Sequence, residues 1–371
     1  MDIFASKEGW LLTDRLFSVM KKRDDLPEMT LPLAVLFLIG SAVFASAAAK
    51  LCTPSSDELF SVSDLLGTLA ALPFLPAAAC LYALLILLWR RLLSLLTTPV
   101  MFLTMMLFGA DVFPSAVITV SLLFVSYVFA VSLIGRENRF RRLTCLSLSI
   151  ALCLGLTVLA WLGIQFDSFS EFTGVFMNRM PEIMADAVSS YIGKAAGESV
   201  SVDPSLFASS ARSFLVMLPS YIGVLSLALA WLVDFSASVA FKALDCEDVF
   251  IEITRRITLP FSYCVVYAAV FILFILTGSE SNPMISMMLR SVLYVMLPPC
   301  AVVGIKGLML ILEDKLYYMT REKVLAGIIM FSALAFLGAA AFLLITSAAG
   351  AALVISKTIR AKRSDADKSS D

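Results

Sequence analysis

Apolar residues run along this chain in long, nearly unbroken stretches, with the polar residues gathered in the gaps between them. Nine stretches stand out, at about 29–49, 65–89, 92–110, 114–134, 143–163, 213–238, 259–278, 285–311 and 325–356, all rich in Leu, Ala, Val, Ile and Phe. About 20 apolar residues at 1.5 Å rise cross the roughly 30 Å hydrocarbon core of a bilayer. None of the stretches alternates with period 2, as barrel strands do, and within lipid a lone segment satisfies its backbone only as a helix. The pattern predicts an all-α, polytopic α-helical integral membrane protein with about eight to ten transmembrane helices. The range comes from the last stretch, whose 32 residues are too many for one upright span and too few for two. It either tilts strongly or breaks near Gly338 or Gly350.

Five regions follow. Residues 1–28 form a leader in which Leu12, Leu16, Val19 and Met20 recur at helical spacing, with Lys7, Asp14, Lys21 and Lys22 on other faces. That pattern predicts an amphipathic helix lying on the cytoplasmic surface. Residues 29–163 form an N-terminal bundle of about five helices. Residues 164–212 make an extracytoplasmic amphipathic connector, 213–356 a C-terminal bundle of about four helices, and 357–371 a tail that is first basic and then acidic. In the connector, Pro181 interrupts an apolar ladder from Phe172 to Ile192, predicting two short helices rather than one. Asp203-Pro204 predicts a new helix start, with Asp as N-cap and Pro at the first helical position. The connector reads either as a lid over an outward-facing cavity or as a passive strap on the outer leaflet.

Basic residues orient the spans, since cytoplasmic loops carry the excess of Lys and Arg. The leader, Arg90-Arg91, and the run Arg136, Arg139, Arg141 and Arg142 fall on one side, while Asp57, Glu58, Asp64 and Asp111 fall on the other. The expected location is the cytoplasmic membrane of a bacterium, multi-pass, with the N-terminus inside. Trp89, Trp161 and Trp231 lie near predicted helix ends, where aromatic belts form.

Composition agrees and excludes other classes. Of 371 residues, 60% are hydrophobic and only 15% charged, with a mean hydropathy of +0.93. A soluble domain carries about 45–50% apolar and about 25% charged residues. A net charge of −1 leaves no basic footprint for nucleic acid. The chain has no histidine, the usual ligand for zinc and the usual proton shuttle near neutral pH. Its seven cysteines are scattered without CxxC spacing, so no metal site and no cofactor are expected. HExxH and GxxxxGK[ST] are missing, as are paired intramembrane aspartates, and no catalytic residue is assigned.

A few positions are candidates for function. Charges within apolar segments are costly and mark sites by default. Arg290 and Lys306 lie about five residues from either end of 285–311, and Asp234 lies near the end of 213–238. Arg290 reads as an anchor for an anionic ligand group or as a snorkelling side chain. Pro298 and Pro299 interrupt the same stretch, either as a broken, ligand-coordinating helix or as a simple kink. Ser41, Ala45 and Ala49 form a ridge of small residues at four-residue spacing, which suits close helix approach, either within the chain or to a partner subunit.

Phe214-Leu-Val-Met-Leu-Pro219-Ser220, Leu259-Pro260-Phe261, Asn282, Ile305-Lys306-Gly307-Leu308 and a last span ending at Arg360 follow one another in an order that resembles the YybS-like family of uncharacterised bacterial multi-spanning membrane proteins. Two positions depart from that pattern. Lys306 stands where relatives tend to have Gln, and Gly350-Ala-Ala-Leu353 lacks the acid of their Gly-x-x-Asp ending. The family is distantly similar to the substrate-binding S components of energy-coupling factor transporters. That resemblance implies ligand capture from outside and docking of a partner through Ser41, Ala45 and Ala49.

Two functions are expected on these grounds. The first is a small-molecule-binding or transport subunit, with Arg290, Pro298 and Pro299 at its ligand site. The alternative is a non-transporting scaffold that organises partners in envelope growth, division or sporulation. The expected partners are the lipid bilayer, other membrane subunits and an unknown small molecule. The scaffold predicts a filled helical interior and an exposed ridge; the binding subunit predicts a polar cavity with Arg290 pointing into it.

Overall fold

The computed structural model describes residues 31–53, 67–68, 70–88, 97–134, 138–196, 201–243, 259–277, 283–315 and 322–368. The leader, Trp89 to Arg91, Arg136, Cys246, Asn282 and the end of the tail lie outside the described residues. Among those described, the regular structure is all helical.

Eleven α-helices follow in order: α1 (Leu31–Leu51), α2 (Phe74–Leu88), α3 (Thr98–Leu107), α4 (Val112–Ile134), α5 (Arg139–Gln165), α6 (Phe169–Ala196), α7 (Ala208–Ala243), α8 (Phe261–Thr277), α9 (Pro283–Lys315), α10 (Glu322–Leu337) and α11 (Ala339–Lys368). Six helical segments among the described residues are long and apolar enough to cross a membrane: Leu31–Leu51, Val112–Leu133, Arg139–Gln165, Pro204–Lys242, Met288–Glu313 and Ala341–Ala361. Three more, Phe74–Leu87, Thr98–Leu107 and Phe261–Leu276, are apolar but shorter. The protein is therefore a helical membrane protein.

The helices group into two compact units. One comprises Met1–Val216 and Leu225–Arg255; the other comprises Met217–Val224 and Arg256–Asp371.

In the first unit, α1 turns its small residues inward. Ser41, Ala45 and Ala49 are all fully buried. The Ser41 hydroxyl donates to the Ala78 carbonyl of α2 at 3.0 Å. The ridge is thus occupied by packing within the chain, and small side chains allow that close approach. Ser126 on α4 donates to the Ala79 carbonyl at 2.9 Å, so one turn of α2 receives hydroxyls from two neighbouring helices. Gly109, at φ +78°, makes the turn between α3 and α4 in a conformation that other residues rarely adopt.

The connector departs from expectation. One helix, α6, runs through Pro181. Proline in a helix interior costs about 3 kcal/mol or more; Pro181 is itself buried, as is Ala185 one turn on, so packing around it offsets the lost hydrogen bond. The restart at Asp203-Pro204 follows the sequence closely. Asp203 Oδ1 accepts from the Ser205 amide at 2.9 Å, and a 3₁₀ turn, Pro204–Phe207, leads directly into α7.

In the second unit, α9 and α11 cross backbone to backbone. A Cβ on Gly304 would land on the Thr346 carbonyl oxygen and within 2.9 Å of the Gly350 nitrogen. One on Gly350 would strike the Cys300 carbonyl and reach within 2.7 Å of the Gly304 nitrogen. One turn further on, Leu353 packs onto Gly307. The Lys306-Gly307 and Gly350-Ala-Ala-Leu353 motifs therefore meet at this crossing, with Leu353 against Gly307 and Lys306 exposed. Tyr267 on α8 bonds Ser347 on α11, hydroxyl to hydroxyl, at 2.6 Å. The long last stretch breaks at Gly338, where φ is +79°, while Gly350 stays helical within α11.

Candidate functional site

Asp234 on α7 is the acid that the sequence left without a partner. The fold supplies two. Arg142 donates through Nε at 2.9 Å and Nη2 at 2.6 Å to Asp234 Oδ1, and Arg139 donates through Nε to Oδ2 at 2.8 Å. Arg142 is fully buried and Asp234 is 2% exposed, so neither charge can rely on water. Both arginines lie in the first turn of α5, which Asn138 caps by accepting from the Phe140 amide. Arg142 Nη1 is buried and has no hydrogen-bond partner among the described residues. A carboxylate held by two guanidinium groups fixes the start of α5 against α7 by charge-assisted hydrogen bonds. Removing one partner of such a buried pair costs about 3–5 kcal/mol.

The two clamped helices contribute to the wall of a cavity. The space measures about 430 Å³ and is partly open. Its lining runs from Phe113 to Val125 on α4 and from Ile150 to Trp161 on α5, with Leu75, Pro76 and Ala79 from α2, Leu229 and Val233 from α7, and Cys52, Thr68, Ala71 and Leu72 beside them. At 1.5 Å per residue those stretches extend about 18 Å and about 16 Å, so the space is a slot lying along the helices. Val233, one residue before the clamped Asp234, belongs to its wall, and Trp161 lies at the opposite end of the α5 stretch. Trp161 meets Phe166 edge-on at 5.9 Å between ring centres. Phe166 meets Phe172 at 5.4 Å, carrying the aromatic packing onto α6.

The space is partly open, and its volume falls within the range of roughly 300–1,000 Å³ typical of small-molecule sites.

The residues singled out from sequence lie elsewhere. Arg290 is exposed on α9, its guanidinium carbon 5.7 Å from the centre of the Phe274 ring, and it does not line the cavity. The cavity is apolar and lies in the first unit, whereas Arg290 belongs to the second. Pro298 and Pro299 are half-buried within α9, which runs unbroken through both. The expected interruption does not occur. Two prolines withdraw the donors that would serve the Tyr294 and Val295 carbonyls; nearby, the Tyr263 hydroxyl donates to the Met296 carbonyl at 3.1 Å, tying α8 to α9. Ser41, Ala45 and Ala49 are buried, as described above.

Sequence reasoning missed the Arg142–Asp234 pair, although its components were visible. Asp234 was the one acid deep in an apolar stretch, and the run Arg139-Arg141-Arg142 abutted another. The cavity left no comparable signal. No family model, curated protein or solved structure matches the chain.

Proposed function

We propose that this protein is a small-molecule-binding or transport subunit of a bacterial cytoplasmic membrane, multi-pass with its N-terminus inside, and that its ligand occupies the slot walled by α4, α5 and α7. The observation that carries this reading is the partly open, apolar cavity of about 430 Å³, a size typical of small-molecule sites. The six long apolar helices support a multi-pass protein. The resemblance to YybS-like proteins, and through them to S components, agrees with a binding role without catalysis. The scaffold alternative calls for a filled interior and an exposed small-residue ridge. An open slot in the first unit counts against it, whereas full burial of Ser41, Ala45 and Ala49 removes that ridge as a docking surface under either reading.

Thermal unfolding of gently extracted and of exhaustively stripped protein tests the reading. Ligand bound only to the folded state stabilises it by mass action, about 2.7 kcal/mol at a hundredfold excess over Kd. Stripping should therefore lower the Tm of the wild type and leave a Leu154→Trp variant, whose indole fills the slot, unchanged. Equal losses in both proteins would overturn the assignment.

A further inference from the structure

The geometry points to one kind of occupant: we propose that the slot holds the acyl chain of a bilayer lipid, with the lipid headgroup outside it. This inference rests on the reading of the slot as a ligand site and names the ligand's class.

Three observations carry it. Among the described residues no charged side chain lines the slot, so an ionised ligand group placed against them would be desolvated without a counter-charge, which is costly. The hydroxyls that do line it are already engaged. Thr157 donates to the Cys153 carbonyl at 2.7 Å, Ser121 bonds the Cys153 thiol, and Thr68 has a bonding partner of its own. A ligand acceptor would have to compete with these bonds for the few O–H groups present. The third observation is shape and setting. The slot is elongated along α4 and α5, helices apolar and long enough to lie in a bilayer, and the same α5 turns Leu148, Leu152 and Leu156 outward. Hydrocarbon is then the medium on the outer face of α5, and an apolar chain in the slot loses no water-facing contacts in entering it. An aliphatic chain is also the ligand form that fills a long, narrow space without needing a hydrogen bond.

Photo-crosslinking of the full-length protein in vesicles of phosphatidylethanolamine and phosphatidylglycerol tests this, with a diazirine-bearing acyl chain on the phosphatidylglycerol as the probe. Crosslinks are expected on the inward residues Val117, Ser121 and Leu154 as well as on the outward Leu148, Leu152 and Leu156. In Val117→Phe and in Leu154→Trp the inward crosslinks should fall by roughly tenfold or more, the ratio that about 1.4 kcal/mol of lost binding produces, while the outward ones persist. Persistence of the outward set and an unchanged unfolding temperature establish that each variant is folded, and two variants guard against failure of either one. Inward positions that stay unlabelled, while a polar or charged molecule co-purifies with the wild type and not with Leu154→Trp, would overturn the lipid-chain assignment and leave the binding role standing. Inward positions that stay unlabelled, with no molecule lost on filling the slot, would overturn both. Inward labelling that survives both filling substitutions would place the chain somewhere other than the slot and overturn the assignment as well.

Discussion

In the second unit, Gly304 and Gly350 bring two helix backbones so close that a methyl group on either would strike a carbonyl oxygen. In the first, α4 and α5 flank about 430 Å³ of space. Both interiors are built from equally apolar helices, so hydrophobicity does not set them apart. The size of the residues at facing positions does. Without a hydrophobic drive between helices in lipid, packing distance follows side-chain volume at the crossing. Glycines remove the gap between α9 and α11, whereas Ile118, Leu122, Ile150 and Leu154 are branched residues facing a space that their side chains do not fill. Both units carry interhelical hydroxyl bonds, and the first adds a buried ion pair. That pair joins α5 to α7, and serines on α1 and α4 bond the backbone of α2.

The sharpest way to break this contrast is Gly304→Val. Its Cβ has nowhere to go but into the Thr346 carbonyl, so the α9–α11 crossing must open. The expected loss exceeds about 4 kcal/mol, in the exceptional tail for single substitutions, and is measured by equilibrium unfolding in mixed micelles. Gly155, which has open space where a Cβ would sit, is the control, and Gly155→Ala should be tolerated.

Next in size comes the ion pair. Asp234→Asn leaves Arg142 buried without its counter-charge and should destabilise by about 3–5 kcal/mol, whereas the double variant Arg142→Leu/Asp234→Leu should recover much of that loss. A double-mutant cycle in the same micelles gives the coupling. A double variant as unstable as the sum of its parts would show that the pair does not act as a unit.

Filling the slot should work in the opposite direction. Leu154→Trp is expected to stabilise ligand-free protein by about 0.5–2 kcal/mol, the usual gain from cavity filling. The smallest effects belong to single interhelical hydroxyl bonds. Ser126→Ala in the first unit and Tyr267→Phe in the second should each cost about 0.6 kcal/mol, the average for such bonds within membranes.

At the start of α7, the Asp203 carboxyl is held below its ordinary range by its bonds from Ser205. Because the folded value is the lower one, the contribution of this cap is present above the ordinary carboxylate pKa and fades as the pH falls through the depressed one. Asp203→Asn should abolish that acid dependence while keeping the cap, as read by unfolding across the acid range.

Much of this fold was legible from hydropathy alone, because a membrane helix must be long and apolar wherever it lies. Local chemistry was legible too. Asp203-Pro204 marked a helix start, and Gly338 marked a break, because capping and positive φ are properties of a few adjacent residues. The prolines misled for the opposite reason. Pro181, Pro298 and Pro299 weaken a helix locally, but Pro181 is buried and the other two are half-buried, and that packing comes from residues distant in sequence. The candidate site was the least legible part. Asp234 and Arg142 are 92 residues apart, and nothing in either segment names the other. A cavity is a volume left among several helices, so it has no residue pattern of its own. Arg290 drew attention as a charge in an apolar stretch, yet the aromatic face of Phe274 gives it a structural place through cation–π attraction.

The central claim is that the slot in the first unit is an occupied binding site. Native mass spectrometry of the full-length protein, released from its own membranes into mild detergent, addresses it directly. The wild type should retain a discrete bound mass that survives detergent exchange, and the Leu154→Trp variant, equally folded, should lack it. The same adduct on both proteins, or on neither, would contradict the account.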